Sequence, residues 1–390
     1  MVSNINSVFW VSLLATLFIA EGIDQPPQMT ERIPLKVVER VTAGFRHNMS
    51  RGSLSHVQTI SFKSSKDDED LGPLSSFIVN ANGTQLLAIS RTGSFVEIDL
   101  NPTGVSELDV TSADVLVNVL TEIDPGDVEG LTINGVYEGN GKGELYSYIG
   151  KPQDVVVKLH DGTIGEKTIH DLNGCQDNGG VKSLLKLHSI DGSGLLLLAC
   201  KRPFARGESE GDYLFPVYFY SDTLSGEAKS FIVKAPGHFE PTDMAELSSG
   251  DIIVLFRRFN RGRKAMRVEC IAAESLRQAM STGSVVMSET MATWREKDKL
   301  PLGRPEALAV RQDPVTKKEF VYILAQTMNG SGDDDEEKPG STTSISMYEW
   351  EPIVIGPRLP DEPCFSDNAA ELYTMTALWI AVVAAFSAYL

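Results

Sequence analysis

Short apolar runs separated by turn pairs recur along nearly the whole chain. Phe77–Val79 and Gln85–Ile89 flank Asn80-Ala81-Asn82-Gly83, a hairpin signal, and Ser94–Leu100 continues the run. Leu131–Tyr137, Glu144–Tyr148 and Asp154–Leu159 follow, then Leu184–His188 and Gly194–Cys200 around Asp191-Gly192. Val217–Tyr220, Phe231–Val233, Ala245–Leu247, Ile252–Leu255 and Met266–Ile271 continue the series. Leu308–Arg311, Phe320–Ala325 and Ile345–Trp350 end it. Each run is too short for a helix and is bounded by residues that accept a positive φ, so the pattern predicts strands. Only Ala273–Met280 reads as helical.

A phrase recurs along these strands. It reads Asp127-Val128-Glu129-Gly130-Leu131, then Gly180-Val181-Lys182-Ser183-Leu184, Pro241-Thr242-Asp243-Met244-Ala245 and Arg304-Pro305-Glu306-Ala307-Leu308. Each copy sets a charged or polar residue before an apolar strand. Repeats of roughly 40–50 residues built this way predict radial repetition, an all-β propeller of about six four-stranded blades with one short helix. The charged slot then returns at the same place in every blade, near the channel mouth. His56–Phe62 is positioned to pair with the last blade and close the ring, which removes free sheet edges. A pair of β-sandwiches is the rival, and it gives no reason for a charge that repeats with the strands.

The ends carry addresses. Val8–Ala20 is apolar but too short to span, and Ala20-Glu21-Gly22 places a cleavage site before Ile23, so residues 1–22 read as a signal peptide; a retained signal anchor is the rival. Residues 23–55 form a linker with room for a first strand over Ile33–Arg40, residues 56–355 the propeller, and residues 356–374 a second linker. The tail, residues 375–390, would span about 24 Å as a helix, short of a ~30 Å bilayer core. No Lys or Arg follows it, and it reads as a glycolipid-anchor signal with attachment at Ser366 or Asn368; a retained single-pass tail is the alternative. Both readings put the protein on the extracellular face of the plasma membrane, joined to the membrane through this tail. Sequons at Asn48, Asn82 and Asn329 agree with that route. The four cysteines allow two disulfides in an oxidising compartment, and Cys175 with Cys200 is the favoured pair because Cys200 ends a strand whose hairpin partner begins just after Cys175.

Hydrophobic residues at 42% are enough for a core, and the formal net charge of −18 speaks against nucleic acid as a partner. Asp67–Asp70 and Asp333–Glu337 concentrate part of that charge and read as solvated loops; neither has the spacing to wrap a calcium ion. No Gly-x-Ser-x-Gly elbow, P-loop ending or His-Glu-x-x-His spacing is present.

Pro241–Phe259, Asp127-Val128-Glu129-Gly130, Asn178–Lys182 and Leu198–Pro203 together resemble the phytase-like (esterase-like) β-propeller family, over roughly residues 70–350. The resemblance implies a propeller whose acidic ring holds calcium and hydrolyses phosphate esters. The departures are substantial. Lys182, Lys201 and Phe256 stand where the family has acids, and its Ser-Asp turn is Ser90-Arg91 here.

The surviving acids, Glu129, Asp243 and Glu306, carry two readings: catalytic groups, with Asp127, Glu129 and Asp243 as calcium ligands, or caps that tie strands together. Arg91, Lys182, Lys201, Arg257 and Arg258 carry two more: an anion site gripped in forked geometry, or pairing with nearby acids. Two functions follow. One is a binding module for an anionic small molecule or an extracellular protein. The other is a divalent-cation-dependent ester hydrolase. The altered acid slots favour the first.

Overall fold

The structure is a computed structural model. It describes residues 29–353 apart from 43, 50–51, 67–70, 101–107, 117–126, 151–153, 161–162, 170–171, 173–174, 176–179, 190–193, 207–211, 222–227, 236, 261–262, 296–302 and 328–341. The signal peptide, the tail, Asn329, Ser366, Asn368 and both acidic runs lie outside the described residues.

The fold is all-β with one regular helix among the described residues. The chain opens with β1 (Met29–Thr42), β2 (Arg46–Met49) and β3 (Gly52–Ser64). Then come antiparallel meanders. The first is β4 (Leu74–Val79), β5 (Gln85–Ser90), β6 (Phe95–Leu100) and β7 (Val110–Leu116). The second is β8 (Val128–Asn134), β9 (Glu144–Ile149), β10 (Val155–His160) and β11 (Thr163–Ile169). The third is β12 (Val181–Lys186), β13 (Leu195–Cys200), β15 (Tyr213–Ser221) and β16 (Lys229–Ala235), with a two-residue β14 (Ala205–Arg206) beside β15. The fourth is β17 (Glu240–Glu246), β18 (Ile252–Asn260), β19 (Arg263–Ile271) and β21 (Glu289–Arg295). Between β19 and β21 lie helix α1 (Ala273–Thr282) and β20 (Val285–Met287), which pairs in parallel with β16. The fifth meander is β22 (Arg304–Gln312), β23 (Glu319–Thr327) and β24 (Thr342–Pro352), and its fourth strand is β3.

The strand that closes the fifth meander therefore comes from the N-terminal end, with Phe62 opposite Thr343 and Gly52 opposite Pro352. β1 then bridges two meanders. Leu35–Thr42 pairs with β3, and Met29–Pro34 pairs with β7, giving one continuous ten-stranded sheet. Residues 29–55, read from the sequence as mostly linker, thus carry three strands or parts of them. Five meanders are traced among the described residues; β1 joins two of them, while β2, β14 and β20 are short additions beside β3, β15 and β16.

The first strands touch in cyclic order: β4 with β8, β8 with β12, β12 with β17, β17 with β22 and β22 with β4. An apolar core fills each gap between neighbouring meanders. Strand composition follows from this. In β13, Leu196, Leu198 and Cys200 face the second meander while Leu197 and Ala199 face the fourth, so both faces are buried and the strand is one unbroken apolar run. Each fully buried Leu of this kind is worth about 2 kcal/mol. Helix α1 ends at Gly283, whose φ of 67° closes the last turn, and it buries Leu276 and Ala279 against the core between the third and fourth meanders.

Candidate functional site

Every first strand carries a β-bulge where it leaves the start of its meander. The unpaired residues are Ser75, Gly130, Lys182, Thr242 and Glu306. A bulge re-aims one side chain off the regular pleat. It also corrects the reading of the repeated phrase. Lys182 and Glu306 sit on the bulge, Glu129 one position before it and Asp243 one position after it, so the charges do not share one slot. In the second meander the bulge residue must be glycine. Gly130 has φ 74°, and a Cβ there would lie 2.7 Å from Cβ of Leu184.

At this end of the strands, Glu306 is surrounded by cations. Its Oε1 accepts from Arg257 Nη1 at 3.0 Å and pairs with Arg304 Nε at 2.6 Å. Its Oε2 accepts from Arg91 Nη2 at 3.2 Å and from Lys182 Nζ at 3.3 Å. Lys182 is buried and donates to Glu129 Oε2 at 2.5 Å. Lys201 Nζ lies 3.5 Å from Asp127 Oδ2 and 3.9 Å from Glu129 Oε1. Among the described residues, five cations thus meet three carboxylates. The cluster is layered. Glu129, Glu306 and Lys182 form a dry floor, while Arg304, Arg91 and Lys201 keep 19%, 24% and 32% of their side-chain surface exposed.

The titration behaviour follows the geometry. Burial alone would push the Glu306 carboxyl up, but Lys182, Arg257, Arg304 and Arg91 draw it down to about 2. Glu129 is raised because burial, with Asp127 adding to it, outweighs the pull of Lys182 and Arg91. Arg91 is held more firmly protonated than usual: burial opposes its charge, and Glu306, Glu129 and Asp127 more than restore it. Arg91 Nε and Glu129 Oε1 are buried without a hydrogen-bond partner.

The other sequence-derived candidates are placed as follows. Asp243 is buried beside the cluster, near enough for the charge of Lys182 to act on it, but its oxygens are engaged by hydrogen bonds from neighbouring strands. Its Oδ1 accepts from Ser183 Oγ at 2.7 Å and from the Met244 N–H at 2.9 Å, and its Oδ2 accepts from the Leu308 N–H at 2.9 Å. It therefore ties the third, fourth and fifth meanders together, and burial pushes its carboxyl up to about 7. Asp127, Glu129 and Asp243 do not converge on one point, and no group of three or more His, Cys, Asp or Glu among the described residues is placed to hold a metal ion. The donors expected for calcium are occupied by Lys201, by Lys182 and by three N–H or O–H groups respectively. Arg258 points to the sheet face opposite Arg257, with Nη1 3.4 Å from the Gly237 carbonyl and its guanidinium over Phe239. Arg304 is a member of the cluster that the sequence reading passed over. The signal was in the repeated phrase itself, two residues before Glu306.

Cys175 and Cys200 form a disulfide with Cα atoms 5.1 Å apart. It joins the end of β13, next to Lys201, to the segment before β12, whose Gly180 carbonyl accepts the Lys201 N–H. Cys270 is also oxidised, to a partner outside the described residues. Asn82 is exposed at the β4–β5 turn, and Asn48 is exposed on β2, where Arg46 Nε donates to it. No helix among the described residues is long and apolar enough to cross a membrane. The far ends of the five first strands line a separate cavity of about 440 Å³, walled by Ile78, Ile133, Leu185 and Val310 among others.

No family model matches the chain, and no curated protein matches it. Solved structures give remote likenesses. A tail fibre of Staphylococcus aureus phage P68 is 12% identical over 83% of this chain with a TM-score of 0.37, and the chain spans about half (53%) of that fibre's length. The structure of U3-55K is 11% identical over 80% of this chain and 98% of its own, with a TM-score of 0.33. A Bacteroides thetaiotaomicron protein of unknown function is 10% identical over 82% of this chain and 77% of its own, with a TM-score of 0.40. Likeness at this level carries neither fold nor function across.

Proposed function

We propose that the chain is an extracellular β-propeller of five blades, related in architecture to the phytase-like propellers, and that it works as a binding module for an anionic ligand. The cyclic contact of the first strands, with a core in every gap, supports the propeller reading. One observation carries the binding reading: the gathering of five cations around Glu306 and Glu129 among the described residues, with Arg91, Lys201 and Arg304 partly exposed. Glu306 and Glu129 gather the cations and hold them in place. A carboxylate or phosphate arriving from solvent meets charged donors whose desolvation and ordering are already largely complete. The buried disulfide supports secretion, because such bonds persist in oxidising compartments. Anchoring through the C-terminal tail completes the proposal.

A calcium-dependent hydrolase finds less support in this geometry. Glu306 is held ionised by four cations, Glu129 is paired with Lys182, and both oxygens of Asp243 are engaged by neighbouring blades. None is placed as a free base beside a free acid. Thermal unfolding with and without millimolar phosphate tests the reading. Stabilisation by phosphate in the wild type, lost in Arg91→Ala, supports it. Turnover of a phosphate ester that requires calcium would instead favour the hydrolase.

A further inference from the structure

We propose that the far end of the ring of first strands is a second binding site, for an uncharged small molecule with a largely apolar body. The inference is independent of the anion-binding reading. The two sites lie at opposite ends of the same strands. Glu129 and Ile133 on β8, and Glu306 and Val310 on β22, are four residues apart, which is about 13 Å along a strand. The charged cluster occupies one end, and the cavity of about 440 Å³ occupies the other. All five first strands contribute to its wall, including Ile78 on β4, Leu185 on β12 and Met244 on β17. The cavity is thus a hole within the ring and not a flat face. Its volume falls in the range of about 300–1,000 Å³ typical of small-molecule sites. A partner protein would cover such a hole and leave much of it unfilled.

The wall selects the class of ligand. Its side chains are mostly aliphatic. Lys186, His188, Glu246 and Arg311 also reach it, but the protein already engages each of them. Both oxygens of Glu246 accept backbone N–H groups, from His188 at 2.7 Å and from Ser189 at 3.0 Å. Arg311 donates through Nε to the Tyr322 hydroxyl at 2.7 Å and through Nη1 to the Ala81 carbonyl at 3.1 Å. Lys186 Nζ lies over the Tyr146 ring, 5.7 Å from its centroid. The His188 ring is hydrogen-bonded to the Ile133 backbone. An ionised guest would give up its water here and gain no dedicated counter-charge, which is costly. A neutral guest meets no such penalty. Each first strand also stands at the end of its sheet, so one of its backbone edges has no strand partner. Those edges offer N–H and C=O groups to the few hydrogen-bonding atoms of a neutral ligand. Val136, 68% exposed, stands on the wall just after β8 and gives the entrance an apolar edge.

The test is fluorescence titration of the full chain with two dyes that share one ring system, neutral N-phenyl-1-naphthylamine and its sulfonate, 8-anilinonaphthalene-1-sulfonate. The neutral dye is expected to bind saturably, one per chain, and at least about tenfold more tightly than the sulfonate. Phosphate is expected not to displace it. Val310→Trp fills part of the cavity and is expected to weaken the neutral dye at least about tenfold. Val136→Asp is the second variant. The residue is exposed, so the fold does not depend on it, and a charge at the entrance is expected to weaken the neutral dye about threefold. Unchanged thermal midpoints check both proteins. No saturable binding of the neutral dye, equal binding of the sulfonate, or wild-type affinity in both variants overturns the proposal. Displacement of the dye by phosphate would merge the two sites and overturn it as well. If the protein dimerises as its concentration rises and the neutral dye disperses the dimer, the cavity belongs to a second copy of this chain and the proposal falls. None of these results touches the anion reading, which phosphate binding tests by itself.

Discussion

Replacing Glu306 with Gln removes the one carboxylate that four cations share, without changing side-chain size. Its depressed titration point sets the magnitude. A fall from 4.5 to about 2 corresponds to about 3 kcal/mol of stabilisation of the ionised form. The group is buried, so solvent does not screen that figure away. Breaking a buried pair by removing one partner costs a similar amount, about 3–5 kcal/mol. Glu306→Gln is therefore expected to unfold about 3 kcal/mol more easily at pH 7, with a melting point lower by roughly 4 °C. The sign with pH follows from the depressed value. The contribution is present above the unfolded pKa of about 4.5 and is lost as pH falls from there toward 2, so the difference between wild type and variant shrinks over that window. Urea unfolding of both proteins at pH 7, 5, 4 and 3 measures this. Phosphate is expected to restore more stability to the variant than to the wild type, because it supplies the missing anion. A variant within about 0.5 kcal/mol of wild type at pH 7, or a difference that stays constant down to pH 3, would refute the reasoning.

Asp243→Ala removes the acceptor of three hydrogen bonds that join the third, fourth and fifth meanders. A loss of about 2–4 kcal/mol is expected by chemical denaturation, with phosphate affinity unchanged by calorimetry. His56 lies buried on β3, the strand that closes the last meander, with its ring against Tyr348 and its Nε2 2.8 Å from Thr59 Oγ1. Burial lowers it to about 4, so it favours the neutral state. Stability from this site is whole above about pH 6.5 and is lost as pH falls toward 4, by about 3 kcal/mol; His56→Gln is expected to flatten that part of the stability–pH curve. Arg91→Ala is expected to remove the phosphate-induced rise in melting point while leaving the fold in place, as judged by far-ultraviolet circular dichroism.

The strands that bury both faces were legible in the sequence. Leu195–Cys200 is an unbroken apolar run because two cores claim its alternate residues. The closing role of His56–Phe62 was legible too, since an open sheet edge needs a partner. β7 carries no such signal, because Thr111, Ser112 and Asp114 break up its apolar residues. The site was half legible. Lys182, Glu129 and Glu306 come from the repeat and Arg91 and Lys201 from the departures from the family resemblance, and the five meet in space. Asp243 was grouped with them because the repeated phrase was aligned by charge. The true alignment is set by the bulge, which puts Asp243 after the kink and turns it into a tie between meanders. Arg257 and Arg258 read as a pair in sequence, but neighbouring strand residues point to opposite faces, so only Arg257 reaches Glu306.

The most direct test of the central claim is calorimetric titration of phosphate into the wild-type protein and into an Arg91→Ala/Arg304→Ala double variant, at low and at physiological salt. The account predicts saturable binding at one site in the wild type, weaker at the higher salt, and at least about tenfold weaker in the double variant. Equal binding in the two proteins, or no binding to the wild type at millimolar phosphate, would contradict it.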